Sequence, residues 1–377
     1  MDFLLTEEQK MIQDGVRRFR EDEYGFDARR KLLETPEGRS AAHWRTFAEL
    51  GWLSIGLPED VGGLGGTIVE TGVVMEEFGR ALLVEPYLNC AVLAGQIIDA
   101  TGSPAQREAL LGAIGAGEIT IAVAHAEPQA RGVIEDIHTR AERQADGSYR
   151  LHGGKCVVAG APLADRLLVP ARVSGAERDR DGIGLFLVGR EQDGVALQSY
   201  RTIDGLRAAD VTLAGARVGA EDVLGTPGDA WPALDRAIAY AITAACAEAL
   251  GAMDQALWIT RDYLKTRKQF GVTLNTFQAL QHRMADMLIE VEQSRSILYR
   301  AYEAMGYADA DARRKGVSAA KAHIGRSGRF VCGHAIQLHG GIGVTEEHSI
   351  GHYYKRLMAF ENQFGNTDFH LQRFAGL

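Results

Sequence analysis

HTRAERQADGSYRLHGGKCVV, residues 138–158, decides the architecture. Two runs of strand character flank Asp146-Gly147, and Asp-Gly between such runs is a strong local hairpin signal. The pattern extends in both directions. ITIAVAH (119–125) precedes it, and RLLVPAR (166–172), GLFLV (184–188), VALQSY (195–200) and DVTLAGARV (210–218) follow, with Asp181-Gly182 and Asp193-Gly194 among the turns. Short strands at about ten-residue spacing indicate a small β barrel or sandwich rather than βαβ units. No GxGxxG follows a strand, so a Rossmann dinucleotide fold is not supported. This β segment is placed at residues 119–228.

The flanking segments read as helical. In residues 1–118, Thr6 and Gln9 fit a capping box, and Ile12, Val16 and Phe19 follow on one helical stripe. LPEDVGGLGGT (57–67) interrupts the pattern, VETGVVMEEFGRALL (69–83) resumes it, and SPAQREALLGAIGAGE (103–118) adds a short helix. In residues 229–377, Leu280, Met284, Met287, Val291, Ser294 and Leu298 step by three and four, which predicts one buried face. Long helical patterns joined by short breaks suggest about four antiparallel helices. The expected class is therefore α+β and mostly helical, with an N-terminal helical domain, a central small β barrel or sandwich and a C-terminal four-helix bundle.

Composition narrows the function. The chain has 377 residues, with 41 Lys+Arg against 50 Asp+Glu and a net charge of −9, so a phosphate backbone is not an expected partner. No apolar run is read as long enough to cross a bilayer, and no membrane association is expected. MDFLLTEEQK lacks a basic n-region and an unbroken apolar core, so no secretory signal is expected. Cys90, Cys156, Cys246 and Cys332 are scattered without a CxxC, which suits reduced thiols, a cytoplasmic setting and no metal site.

Two motifs carry candidate chemistry. Arg267-Lys268-Gln269-Phe270-Gly271 closes a long helix, where the cations suit the helix dipole and Gly271 reads as the residue ending it. The alternative reading is functional: Arg267 reaches a pyrophosphate, for which its planar fork is suited, with Phe270 as an aromatic neighbour and Gln278 as an amide partner. QLHGGIGVTEE (337–347) places Gly340, Gly341 and Gly343 after an apolar helix. A helix cap needs one glycine, so the excess suggests a phosphate or ribityl chain lying on this loop.

Together with MDFLLTEEQ, LPEDVGGLGG, EEFGR (76–80), AEP (126–128), TRKQFG (266–271), FQALQHRMADM (277–287) and QLHGGIGV (337–344), these motifs make the chain resemble the acyl-CoA dehydrogenase family over essentially its whole length. The resemblance implies an FAD cofactor whose ADP half reaches a neighbouring subunit. Arg267, Phe270 and Gln278 would contact the neighbour's flavin cofactor, Gln337 and Gly340-Gly341 would hold its pyrophosphate region, and Thr367 occupies the position of a threonine that touches FAD. The implied reaction is α,β-desaturation of an acyl-CoA thioester. A desolvated glutamate removes the weakly acidic α-proton, the β-hydrogen leaves as hydride, and an electron-transferring flavoprotein accepts the electrons.

The sequence departs from that pattern where the base should be. Aligned through Thr367, Gly365 stands at the usual glutamate position, and the family's second position falls at Ala241. In the central segment the usual Thr-Glu-Pro reads Ala126-Glu127-Pro128, followed by Gln129-Ala130-Arg131-Gly132, so a hydroxyl contact to the flavin is missing. Three readings follow. Another carboxylate acts as base, with Glu361, Asp368 and Glu248 nearest in sequence. Or the chain is one half of a heteromer, similar to the small subunit of bacterial two-subunit enzymes such as pimeloyl-CoA dehydrogenase or those acting on steroid side-chain thioesters, and a homologous large subunit supplies the base. Or it is a non-catalytic helical assembly protein. The heteromeric reading is preferred.

Overall fold

The computed structural model describes residues 4–376. In chain order the helices are α1 (Glu7–Asp22), α2 (Phe26–Glu34), α3 (Ala41–Glu49), α4 (Ile68–Ala81), α5 (Gly95–Thr101), α6 (Pro104–Gly115), α7 (Trp231–Thr266), α8 (Gln278–Met305), α9 (Ala310–His339), α10 (Ser349–Asn362) and α11 (Thr367–Gly376). The strands are β1 (Ile121–Val123), β2 (Arg140–Arg143), β3 (Tyr149–Ala159), β4 (Arg166–Arg172), β5 (Ile183–Gly189), β6 (Val195–Arg201), β7 (Arg207–Val218), β8 (Val223–Gly228), β9 (Lys268–Gln269) and β10 (Val272–Thr273). Compactness groups them differently from sequence order. One unit takes residues up to Lys31, Ile68–Leu83 and Ile242–Leu377; the other takes Leu32–Thr67 and Val84–Ala241.

In the second unit, β1 to β8 form one sheet in the order β6-β7-β3-β2-β4-β5-β8, with β1 parallel to β4. The Asp146-Gly147 hairpin is present: Arg143 pairs with Tyr149, Gly147 sits at φ +84°, and Asp146 accepts hydrogen bonds from the Ser148 N–H and hydroxyl. β4 and β5 are buried almost throughout, which is why RLLVPAR and IGLFLVG read as continuous apolar runs, while β3 begins by alternating. A seven-residue π-helix, Leu88–Ala94, covers the outer edge of β1. Asn89 Oδ1 accepts from Val123 N, and Cys90 Sγ accepts from Ile121 N, so the edge amides find partners. The LPEDVGGLGG segment is a self-bonded loop, in which Gly63, Leu64, Gly65 and Gly66 donate to Pro58, Ser54, Leu57 and Ile55.

The first unit is built on a close helix crossing. A Cβ on Gly79 of α4 would lie 1.9 Å from the Glu248 carbonyl oxygen of α7, and one on Gly251 would lie 1.8 Å from the Glu76 carbonyl oxygen. Each helix therefore supplies the glycine that admits the other's backbone. Arg80 spans the crossing, bonded to Glu76 at 2.6 Å, Glu77 at 2.9 Å and Asp254 at 2.9 Å, and Arg295 of α8 joins Glu76 at 2.9 Å. Burial works against the charge on Glu76, yet Arg80 and Arg295 hold its carboxyl below the usual range. The EEFGR motif is thus a packing and ion-pair device.

Two expectations need correction. α7 is long and apolar enough, by length and composition, to cross a membrane, contrary to the sequence reading; most of its apolar stretch is buried inside the protein, which accounts for its character. In the α8 stripe, Met287, Val291, Ser294 and Leu298 are buried, but Leu280 and Met284 are only half-buried, because the first turns of α8 are largely exposed.

The crossing yields a direct test. Gly79→Ala gains helix propensity but forces a methyl against backbone, and should destabilise the protein by about 2–3 kcal/mol or more. An unchanged urea midpoint would contradict the close approach.

Candidate functional site

α7 ends at Thr266, one residue before Arg267, and its continuation is a short hairpin in which Val272 pairs with Gln269 and Thr273 with Lys268. Phe270 and Gly271 occupy the turn at φ +53° and +81°. Gly271 is therefore a hairpin-turn residue and not the helix-ending residue read from sequence, and Lys268 belongs to β9 rather than to the last helical turn. A phenylalanine in the left-handed region is strained, and Phe270 is also 87% exposed. Arg267 and Gln278 are exposed beside it in the chain; Arg267 N–H donates to Tyr263 O, and Arg267 O accepts from Leu274 N.

The second motif lies at the end of α9. Gly340 is at φ +65°, a conformation glycine accepts, and a Cβ on Gly343 would meet Ile336 O at 2.8 Å. Those two glycines have reasons inside the chain. Gly341 has none: its missing side chain faces open space, and Gly340, Gly341 and Gln337 are all exposed. His339, which sequence reasoning passed over, is buried beneath this turn. Burial pushes its pKa down to about 4, so the ring is neutral, with Nδ1–H donating to Ala335 O at 2.8 Å.

Tyr263 ties the two motifs together. Its ring stacks on His339 with centroids 4.4 Å apart, its hydroxyl donates to His339 O at 3.2 Å, and His348 lies 4.7 Å beyond His339. Arg267 follows Tyr263 by one helical turn, so one aromatic stack fixes the root of the hairpin against the glycine turn. The i to i+4 spacing of Tyr263 and Arg267 was the available signal; nothing in the spacing of either motif linked them.

The region of the expected base is organised for another purpose. Phe364 and Gly365 form a left-handed turn at φ +59° and +99°, and a Cβ on Gly365 would lie 2.4 Å from the Phe369 ring. Lys321 of α9, wholly buried, donates to Glu361 O at 3.2 Å and Gly365 O at 3.0 Å, with its ammonium 4.3 Å from the Phe360 ring centroid. Burial lowers its pKa to about 8. His370 spans Ser318 and Phe364 O at 3.2 and 3.0 Å, and burial pushes its pKa down to about 3, so it too is neutral.

The candidate carboxylates fare differently. Glu361 is buried and caps α11, accepting from Thr367 N and from the Thr367 hydroxyl, both at 3.0 Å. A Cβ on Gly325 would sit 2.2 Å from Glu361 Oε2, so that glycine makes room for the carboxylate. Thr367 is correspondingly turned into the core with its hydroxyl proton committed to Glu361, rather than presented at the surface with the other cofactor candidates. Glu248 is ion-paired with Arg356, whose other nitrogen donates to Leu83 O at 2.8 Å. Asp368 is exposed in the first turn of α11. Ala241 is a buried alanine in α7.

In the second unit, Glu127 of the Ala-Glu-Pro segment is structural. It accepts from His138 N at 2.8 Å, Thr139 N at 3.1 Å, Gln129 Nε2 at 2.9 Å and buried Lys155 at 2.6 Å. Although burial opposes ionisation, Lys155 and these donors hold its pKa at about 2. Among the described residues no cluster of three or more histidine, cysteine or acidic side chains could hold a metal ion.

The chain matches the acyl-CoA dehydrogenase N-terminal domain over residues 6–118, the middle domain over 122–215 and the C-terminal domain over 224–375, and it belongs to the acyl-CoA dehydrogenase family. It is 27% identical to the acryloyl-CoA reductase (NADH) of Anaerotignum propionicum, covering 98% of this chain and 94% of that one. Among solved structures, a variant of the Tcur3481-Tcur3483 steroid ACAD matches with TM-score 0.88 and 31% identity, covering 98% of this chain and 97% of the other. The ChsE4-ChsE5 complex from Mycobacterium tuberculosis matches with TM-score 0.89 and 27% identity, covering 100% and 98%. The chain is thus an oxidoreductase of the CH–CH class, with FAD as its cofactor. An exposed cation, an exposed aromatic and an open glycine turn are compatible in chemistry with an anionic, aromatic group of that kind.

Two outcomes test the stapled turn. Lysine titrates near 10.4 in an unfolded chain, so between about 8 and that value the unfolded state binds more protons and stability rises with pH. Lys321→Met should flatten this rise in urea denaturations across the window; an identical slope in the variant would contradict the assignment. Gly365→Glu should cost roughly 2–4 kcal/mol, because it adds both strain and overlap, and a variant as stable as the parent would show that the turn is not closed.

Proposed function

We propose that this chain is the base-less subunit of a heteromeric FAD-dependent acyl-CoA dehydrogenase that desaturates an acyl-CoA thioester between its α and β carbons. The observation that carries this reading is the left-handed Phe364-Gly365 turn, held by Lys321 at the position where a glutamate would act. A glycine takes no proton, Ala241 takes none, Glu361 and Glu248 are committed to Thr367 and Arg356, and Asp368 is exposed in the first turn of α11 rather than desolvated as such a base must be. The α-proton therefore goes to a carboxylate of a homologous large subunit.

This chain's residues act on the cofactor from across the subunit boundary. Arg267 pairs with the pyrophosphate, Phe270 covers an apolar part of the group, Gln278 and Gln337 supply amide hydrogen bonds, and the open Gly340-Gly341 turn lets backbone approach the phosphates. FAD held there would supply the acceptor for the β-hydrogen, which would leave as hydride. The exposure of Phe270 supports this assignment over a non-catalytic assembly role, whereas its positive φ is what the hairpin turn itself demands. The two solved relatives named as paired proteins support a two-subunit organisation, and the one named a steroid ACAD makes a steroid side-chain thioester the first substrate to offer. An electron-transferring flavoprotein is the proposed acceptor.

Arg267→Ala, co-expressed with the homologous subunit, should weaken FAD retention by roughly tenfold or more while the far-ultraviolet circular dichroism stays unchanged. Stoichiometric flavin after gel filtration of that variant would contradict the role given to Arg267.

A further inference from the structure

The segment joining α9 to α10, residues 340–348, carries the open glycine turn, and three imidazoles fasten it. His339 lies beneath its start, stacked on Tyr263 at 4.4 Å, with His348 from its far end 4.7 Å away. His348 caps α10, its Nδ1 accepting from Ile350 N at 3.2 Å. One turn into α10, His352 is buried edge-on against Phe26 of α2, and its Nε2 reaches back to Glu346 O at 3.2 Å. The segment's own apolar side chains do little to bury it, since Ile342 and Val344 are 43% and 75% exposed.

Each ring is bonded in a way that suits only its neutral form. The Arg29 guanidinium has donors and no acceptor, so its 3.1 Å contact with His352 Nδ1 needs the lone pair there and leaves the one proton on Nε2. The Ile350 N–H makes the same demand of His348 Nδ1. At His339 the proton sits on Nδ1, facing Ala335 O, and Nε2 is enclosed without a hydrogen-bond partner. A second proton would set a cation against buried Arg29, strip the cap from α10, or enclose an N–H with nothing to accept it. The groups facing the rings offer little relief. At His339 and His348 these are Tyr263 and each other. At His352 the Glu346 carboxylate lies 3.3 Å from Nε2, but Lys355 already pairs with it and Arg30 acts on it too. Burial lowers the pKa of all three rings, that of His339 to about 4.

We propose that the α9–α10 segment is an acid-operated latch: His339, His348 and His352 hold the glycine turn while neutral, and protonation frees the segment and the turn together. The consequence for FAD rests on the reading given above, in which that turn carries the cofactor's phosphates. A freed imidazole titrates near 6.5, so below about that value the open form binds more protons and the closed form loses stability as the pH falls toward 4. Uptake of more than one proton steepens the loss beyond about tenfold per pH unit.

Hydrogen exchange on the full-length chain, co-expressed with the homologous subunit, tests the latch between about pH 7 and 5.5, with protection corrected for the intrinsic amide rate. Protection over residues 340–352 should fall more than about tenfold while the middle of α9 keeps its own, and flavin fluorescence should report FAD release at a lower temperature in acid. His348→Asn with His352→Gln keeps an acceptor at each site without a titrating ring, and should remove most of the pH dependence. Equal wild-type protection at both pH values would overturn the latch, whatever the variant does to folding. A fall of the same size in the double variant would overturn it too, by placing the titration elsewhere. Acid-dependent opening that leaves FAD release unchanged would uphold the latch and remove the cofactor role given to the glycine turn.

Discussion

Helices α4 and α7 meet with no side chain between them, and the rest of the first unit depends on that contact. Gly79 and Gly251 each admit the other helix's backbone, which brings Arg80 within reach of Asp254 and draws Arg295 to Glu76. The end of α4 is then closed from three sides: Arg29 donates to Leu82 O, Tyr353 to Arg80 O and Arg356 to Leu83 O. Orphan carbonyls at a helix end need such partners. Arg356 also takes Glu248, so one carboxylate that could have served chemistry is consumed in holding the helices together.

The segment joining α10 to α11 shows the same economy. In this short stretch the carbonyls of Glu361, Phe364 and Gly365 are claimed by Lys321 and His370, and the Glu361 carboxylate caps Thr367. Buried polar networks are tolerated when their members are satisfied. The chain keeps its family fold here; on the proposed reading it does so without the residue type that proton abstraction needs. A fold and its chemistry are separable, and a cofactor shared across a subunit boundary is a place where they can separate.

Much of this was legible in the sequence. Period-two runs and the Asp146-Gly147 dipeptide announced the sheet, since strand alternation and turn chemistry are local properties. The Thr6–Gln9 capping box formed as read, with both bonds present. Other features were not legible, for physical reasons. Phe270-Gly271 turns a hairpin because Phe270 adopts a conformation no local rule assigns to phenylalanine. The extra glycines of QLHGGIG divide into one for backbone conformation, one for packing and one left open, a distinction that only three-dimensional neighbours make. Lys321 and Gly365 are 44 residues apart, and no periodicity connects a buried ammonium to the carbonyl it holds.

On the proposed reading this chain carries the cofactor contacts but not the base. The most direct measurement is the flavin absorbance of the chain and its homologous subunit, assembled and apart, on anaerobic addition of an acyl-CoA thioester. Bleaching is expected in the assembly and should survive Glu361→Gln, Asp368→Asn and Glu248→Gln in this chain, with no bleaching of any flavin bound to this chain alone. Bleaching by the isolated chain, abolished by one of those three substitutions, would contradict it.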